Sequence, residues 1–283
     1  MKVPAIFLLL LGAVRTFAGP YAPAAGQPGS GAVSAVDPRI VGWATGVSAL
    51  TRGLVDISDP QSPFASFGGS ASAIGAADAY DFGTGLPSTS PNTVVSLGDG
   101  GAITLTFANP LRDGIGPDFA VFENAFNDSF LELAFVEVSS DGTHFERFPA
   151  FSLTQTNQQI AQQNSQFNAI DPTDIDGLAG KYRAGFGTPF DLGLLAGRPL
   201  LDLQNIIAVR VIDVVGSLDP LYGSLDSSVP AHLINEPWPT PFATGGFDLD
   251  AVAVLQSTPE PGSALLLGVG GALLTLQRRR GLR

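Results

Sequence analysis

The sequence predicts an all-β fold, an antiparallel β-sandwich with long loops, with a helical segment expected at each end. Three observations carry this. Apolar residues recur with a period of two, as in Ala102 to Phe107, where Ile103, Leu105 and Phe107 alternate with Ala102, Thr104 and Thr106. That period puts every second side chain on one buried face of a strand. Gly, Asp and Pro interrupt the apolar stretches at short intervals, which suits a sandwich of short strands. No self-similarity with a period of 20 to 50 residues is present, which excludes solenoids and propellers.

Taken in order, Ile40 to Leu54 reads as a strand and a turn, and Asp59 to Pro91 as loop with short strands. Gly98-Asp99-Gly100-Gly101 turns the chain into the strand from Ala102, and Asn109 to Pro117 follows as a loop. Phe119 to Phe126 and Leu131 to Ser139 are two further strands, and Asp141-Gly142 turns the second of these into His144 to Phe148. The Gln- and Asn-rich Gln155 to Asn168 is an insertion loop. Thr188 as N-cap with Pro189 at the first helical position predicts a short helix through Leu195, closed by Gly197. Ile206 to Val215, almost continuously apolar, predicts a central strand buried on both faces. Ser217 to Thr244 is a Pro-rich loop, and Phe247 to Leu255 the last strand.

The ends carry addresses rather than core. Lys2, the apolar Ala5 to Val14 and the small-residue site Thr16-Phe17-Ala18 form a secretory signal peptide, residues 1–18. Residues 19–39, rich in Ala, Pro and Gly, read as a flexible leader, and 40–256 as the sandwich domain. Residues 257–283 hold Pro259-Glu260-Pro261, an apolar run, and then Arg278, Arg279 and Arg280. The run from Ser263 to Leu276 is 14 residues, short of the roughly 20 that a helix needs to cross a bilayer, and three glycines weaken it further. This order resembles the PEP-CTERM tail of bacterial exported proteins. The resemblance implies an exosortase-type processing enzyme as partner, transient contact with the inner membrane, and delivery to the cell surface or into extracellular polysaccharide.

Composition narrows the chemistry. There is no cysteine, so neither disulfides nor thiol chemistry are available. With the two ends set aside, eight basic and 25 acidic residues remain, a net charge of −17. Such a surface repels nucleic acid and anionic lipid. The 20 Asp against six Glu suit calcium, which takes hard oxygen ligands, and equally suit turns.

Three blocks carry a second resemblance: Val95-Ser-Leu-Gly-Asp-Gly-Gly-Ala-Ile-Thr-Leu, Gly116-Pro-Asp-Phe-Ala-Val-Phe-Glu-Asn-Ala-Phe, and Val136-Glu-Val-Ser-Ser-Asp-Gly-Thr-His-Phe. Together with Gly245-Gly246-Phe247-Asp248-Leu249-Asp250 they resemble bacterial cell-surface proteins with sandwiches of the galactose-binding and discoidin-like type. That resemblance implies a jelly-roll-like sandwich, loops at one end that bind carbohydrate, and a structural calcium.

Candidate site residues follow from burial. Glu123, Asp213, Asp248 and Asp250 sit in otherwise apolar strands, and a buried carboxylate must be paired or bound to a metal. Asp248 and Asp250, two apart, are expected on one face. Either calcium gathers these groups, or Arg210 and backbone amides satisfy them. Asp171, Asp174 and Asp176 form a looser oxygen-rich stretch, but Tyr182 at the twelfth position excludes an EF-hand loop. Trp238, in a Pro-rich loop, either stacks on a sugar or plugs the end of the sandwich. Catalysis has little to stand on. His144 and His232 are the only histidines, and neither His-Glu-x-x-His nor Gly-x-Ser-x-Gly occurs. The expectation is a non-enzymatic, carbohydrate-binding surface protein. The alternatives are a carboxylate-based glycan hydrolase and a purely structural matrix component. A cleft with two facing carboxylates beside an aromatic platform would favour the hydrolase.

Overall fold

The computed structural model describes residues 19–83, 85–87, 93–161 and 169–255. The signal peptide, the tail with Pro259, Glu260, Pro261, Arg278, Arg279 and Arg280, and both expected helices lie outside the described residues. No helix among the described residues is long and apolar enough to cross a membrane.

The chain is all-β. In order its strands are β1 (Val33–Ser34), β2 (Ile40–Trp43), β3 (Gly46–Thr51), β4 (Tyr80–Asp81) and β5 (Leu86–Pro87). There follow β6 (Val95–Ser96), β7 (Ala102–Leu111), β8 (Phe119–Glu123), β9 (Ala134–Ser139) and β10 (Glu146–Arg147). The last are β11 (Phe151–Ser152), β12 (Ile175–Asp176), β13 (Phe186–Phe190), β14 (Ile206–Asp213) and β15 (Asp248–Leu255). One sheet has the order β1-β13-β8-β15-β2, with β6 also paired to β15. The other runs β10-β9-β14-β7-β3. Two short pairs, β4 with β5 and β11 with β12, stand apart, and every pairing is antiparallel.

The main core lies between the two sheets. Ile103 and Leu105 of β7, Val136 and Val138 of β9, and Val209 and Val211 of β14 meet Phe119 and Val121 of β8 and Leu249 and Val252 of β15. Alternation thus does what the sequence pattern required, and Phe107, only partly buried, packs at the margin. On the far side of the first sheet, Ala120, Phe122, Ala251 and Ala253 cluster with Val33 and with partly buried Ile40 and Trp43 of the sheet's edge strands. Residues 19–39, expected as a flexible leader, therefore contribute to packing, and β1 pairs with β13. A third cluster, with Leu131, Leu133, Phe135, Ile160, Ile170 and Ile175, forms beneath the long loops.

Three further expectations need correction. The loop assigned from Asn109 is still strand as far as Leu111. The helix starting at Thr188 does not form. Thr188 and Pro189 lie in β13, paired with Val121 and Ala120. Pro189 is tolerated because β1 pairs only as far as Gly187, so the side facing away from β8 carries no ladder at Pro189. A 3₁₀ turn, Leu192–Leu195, comes later, capped by Asp191, whose side chain accepts from the Gly193 N–H. Finally, β14 is central but not buried on both faces. Ile207 is exposed and Arg210 half-buried, because the outer face is held by Glu137 of β9, which pairs with both Arg210 and Arg147.

Candidate functional site

The sheets place a group of carboxylates at one end of the main core. Glu123 ends β8 on the same alternating face as Phe119 and Val121, and Asp213 ends β14 on the face of Val209 and Val211. Asp248 opens β15, where the next residue, Leu249, stands opposite Glu123. Two acids not anticipated as ligands join them. Glu132 lies just before β9, and Glu236 comes from the Pro-rich loop to accept the Leu133 N–H at 2.5 Å. All five are buried. The glycines before β15 allow this approach. Gly246 has φ +73°, and a Cβ there would stand 2.7 Å from Asp213 Oδ1 and 2.9 Å from the Gly98 backbone.

Their hydrogen bonds come mainly from the backbone. Asp213 accepts from the Phe247 N–H at 2.6 Å and the Gly100 N–H at 2.9 Å. Asp248 accepts from the Ser96 hydroxyl and from the Asn124 amide at 3.2 Å. Glu123 Oε2 accepts the Ala125 N–H at 2.6 Å, whereas its Oε1, sealed from solvent, has no hydrogen-bond partner among the described residues. The Lys and Arg ion pairs of the described residues lie elsewhere, at Asp37, Asp128, Glu137 and Glu146. Arg52 is the cation whose charge bears on Asp248, and its guanidinium donates to the carbonyls of Phe67, Ser96 and Gly68.

Burial first, and then in most of them the charge of a neighbouring acid, raises every pKa in the group. Burial, then the Asp248 charge, pushes Glu123 well above the usual carboxylate range. Glu132 is raised by burial and then by Asp248, Glu123, Glu236 and Asp213 in turn. Burial and the Asp213 charge raise Glu236, and burial and the Asp99 charge raise Asp213. Burial lifts Asp248 to about 7 against the bonds from Ser96 and Asn124 and the pull of Arg52.

Of the four carboxylates singled out in the sequence, the charges of Asp248 and Asp250 both act on Glu123, and that of Asp248 on Asp213. The pairing of β15 with β8 is irregular between Leu249 and Ala251, which re-aims Asp250. It accepts instead from the Asp78 and Ala79 N–H groups at 3.1 and 3.3 Å, and burial lifts it to about 7. Arg210 satisfies none of the four, because it stands directly opposite Glu137 and binds that side chain. Asp171 caps a turn through the Thr173 N–H, and Asp176 sits on β12. Trp238 is half-buried, and its indole N–H donates to Asp99 Oδ2 at 2.9 Å.

Other polar groups gather away from these acids. Among the described residues Asp113, Asp118 and Asp191 bring one carboxylate oxygen each to within 4.8 Å of one another. Both Asp118 oxygens already accept backbone N–H groups, from Gly114 at 2.9 Å and Leu192 at 2.8 Å. Asp113 and Asp118 also line a cavity of about 560 Å³ with Arg112, Gln204 and Leu255. A cavity of about 330 Å³ is lined by Phe148, Phe151, Phe190, Leu194 and Asp176. A smaller one, about 260 Å³, is edged by Ser152, Thr154 and His232. Ser152, His232 and Asp226 fall close together there without forming a relay. The Ser152 hydroxyl is sealed and has no hydrogen-bond partner among the described residues, and His232 Nδ1 stands 3.9 Å from Asp226 Oδ2.

Comparison with protein-family models, with curated proteins and with solved structures finds no match to this chain.

Proposed function

We propose that this chain is an exported, non-catalytic carbohydrate-binding protein, a jelly-roll-like β-sandwich delivered to the cell surface or extracellular matrix by a PEP-CTERM-type tail. The cavity beside β11 and β12 carries the reading. Phe151 and Asp176 are direct cross-strand partners, so an aromatic ring and an exposed carboxylate enter the same cavity from adjacent strands. A sugar offers the matching surface, a face of C–H groups for the ring and hydroxyls for the carboxylate. The turn after β12 is fixed by Gly177, with φ +66°, where a Cβ would stand 1.9 Å from the Pro149 carbonyl.

A hydrolase makes a different demand on such a cavity. Such an enzyme needs two facing carboxylates beside its sugar. The cavity with aromatic rings has one carboxylate, Asp176, and the cavity with Asp113 and Asp118 has no aromatic ring. A glycan array on the full exported chain, with and without calcium, tests the reading. The expected result is a bound glycan that is recovered intact and lost at least tenfold with Phe151→Ala or Asp176→Asn. Shortened glycan products would make the chain an enzyme, and no binding would leave a structural matrix component.

A further inference from the structure

The first described residue, Gly19, is tied down at its nitrogen. Its N–H donates to Thr173 Oγ1 at 2.6 Å, and that hydroxyl in turn donates to Asp171 Oδ1 at 2.8 Å. Two residues on, the Tyr21 N–H donates to the Thr173 carbonyl at 3.0 Å. Residues 19–21 thus lie against the short turn Pro172–Asp174. Only glycine permits so close an approach. A Cβ at Gly19 would stand 2.2 Å from the Thr173 carbonyl oxygen and 2.3 Å from Asp174 Oδ1. The Asp174 carboxylate beside it is half-buried and has no Lys or Arg partner among the described residues. Burial, and then the charge of Asp171, raises its pKa. Lys181, the one lysine after Lys2, is engaged elsewhere, buried and donating to the Ile175 carbonyl at 2.6 Å.

The small-residue site Thr16-Phe17-Ala18 ends at the bond to this same nitrogen. We propose, on the reading that the chain is exported, that hydrolysis of the Ala18–Gly19 bond by a signal peptidase creates an α-ammonium that docks between Thr173 and Asp174, so that maturation itself locks the N-terminal segment onto the domain. In that hydrolysis water supplies a hydroxyl to the Ala18 carbonyl carbon and a proton to the Gly19 nitrogen as the C–N bond breaks. The new carboxyl then loses a proton, and the new amine, with an ordinary pKa of about 7.7–8.0, gains one. An amide N–H has a single proton to donate, and Thr173 takes it. An ammonium has three, so the bond to Thr173 is kept and two remain for the carboxylate of Asp174. The gain extends a segment that is already held further along, where Arg183 donates to the Ala25 carbonyl at 2.9 Å and β1 pairs with β13.

The test compares the processed chain, beginning at Gly19, with the same chain carrying Ala18 ahead of it, which moves the ammonium about 3.8 Å along the backbone. Thermal melting is read, together with the rate at which a water-soluble succinimidyl ester acylates the α-amine. Peptide mass spectrometry separates that amine from Lys181, the other amine of the processed chain. The processed chain should melt several degrees higher, and its Gly19 amine should react at least tenfold more slowly than the Ala18 amine of the extended chain. Asp174→Asn should bring the processed chain down towards the extended one and leave the extended one nearly unchanged. Equal melting temperatures or equal acylation rates in the two chains would overturn the docking, as would an equal effect of Asp174→Asn in both. The acylation rates need no variant, which keeps the test decisive if Asp174→Asn folds poorly. The N-terminus of protein recovered from cells checks the export reading separately, and Gly19 is expected there. Exported protein that starts at another residue would overturn the processing step, whereas a full chain retained in the cytoplasm would overturn the export reading itself.

Discussion

Asp118, at the start of β8, is 2% exposed and holds two backbone amides, one from Gly114 and one from Leu192. Those bonds favour its charged form, yet burial outweighs them and lifts its pKa to about 6, with Asp113 and Asp191 adding repulsion. The folded pKa therefore lies above the unfolded value near 3.8. Stabilisation from this group is fully present below the unfolded pKa and is lost as pH rises through about 6. In Asp118→Asn that loss disappears, while one amide left without an acceptor costs about 1–3 kcal/mol at every pH. Urea midpoints of the two proteins should thus differ most at pH 4 and converge towards pH 7. A difference that stays constant with pH would show that the carboxyl titrates normally. An acid among apolar neighbours is visible in sequence, which is how Glu123, Asp213 and Asp248 could be singled out. Glu132 carried the same signal between Leu131 and Leu133. Glu236 carried none, because its place is set by a loop that folds back over the core.

At the scale of elements, β13 shows where local rules stop. Thr188-Pro189 is a good helix start by residue type, but pairing with β8 leaves no room for a helix. Buried Thr188 Oγ1 has no hydrogen-bond partner among the described residues, so it caps nothing. A strand was legible wherever the period of two or a long apolar run stood alone, as in β7, β14 and β15. Pairing order was not, because β8 finds β13 and β15 across more than sixty residues of chain, and no local pattern encodes that. The close approach of β13 to β8 gives a sharp test. A Cβ on Gly187 would stand 2.7 Å from the Phe122 ring, which is buried on the outer face of the first sheet. Gly187→Ala should therefore cost about 1–3 kcal/mol as overpacking, measured by denaturant unfolding. Unchanged stability would mean that Phe122 has another rotamer open to it.

At the scale of the whole molecule, a highly acidic domain precedes the tail in the sequence. The last described strand, β15, is paired with β8 through Val254 and with β2 through Leu255, and the main core is built from residues up to Val254. Every described pairing therefore precedes the Pro259-Glu260-Pro261 motif. Removing residues 259–283 takes away none of these contacts, so its effect on the domain should stay within about 0.5 kcal/mol, as for changes away from packed features. Its effect on destination should be large. With the tail acting as a sorting signal, the shortened chain is recovered folded and soluble outside the cytoplasm, whereas the full chain passes through a membrane-bound precursor. Glu260→Ala in the full chain should make that precursor accumulate with its tail intact, which mass spectrometry of the C-terminal peptide can read directly. Normal maturation of that variant would remove the motif from the sorting step, and a shortened chain that fails to fold would place part of the domain's stability in the tail.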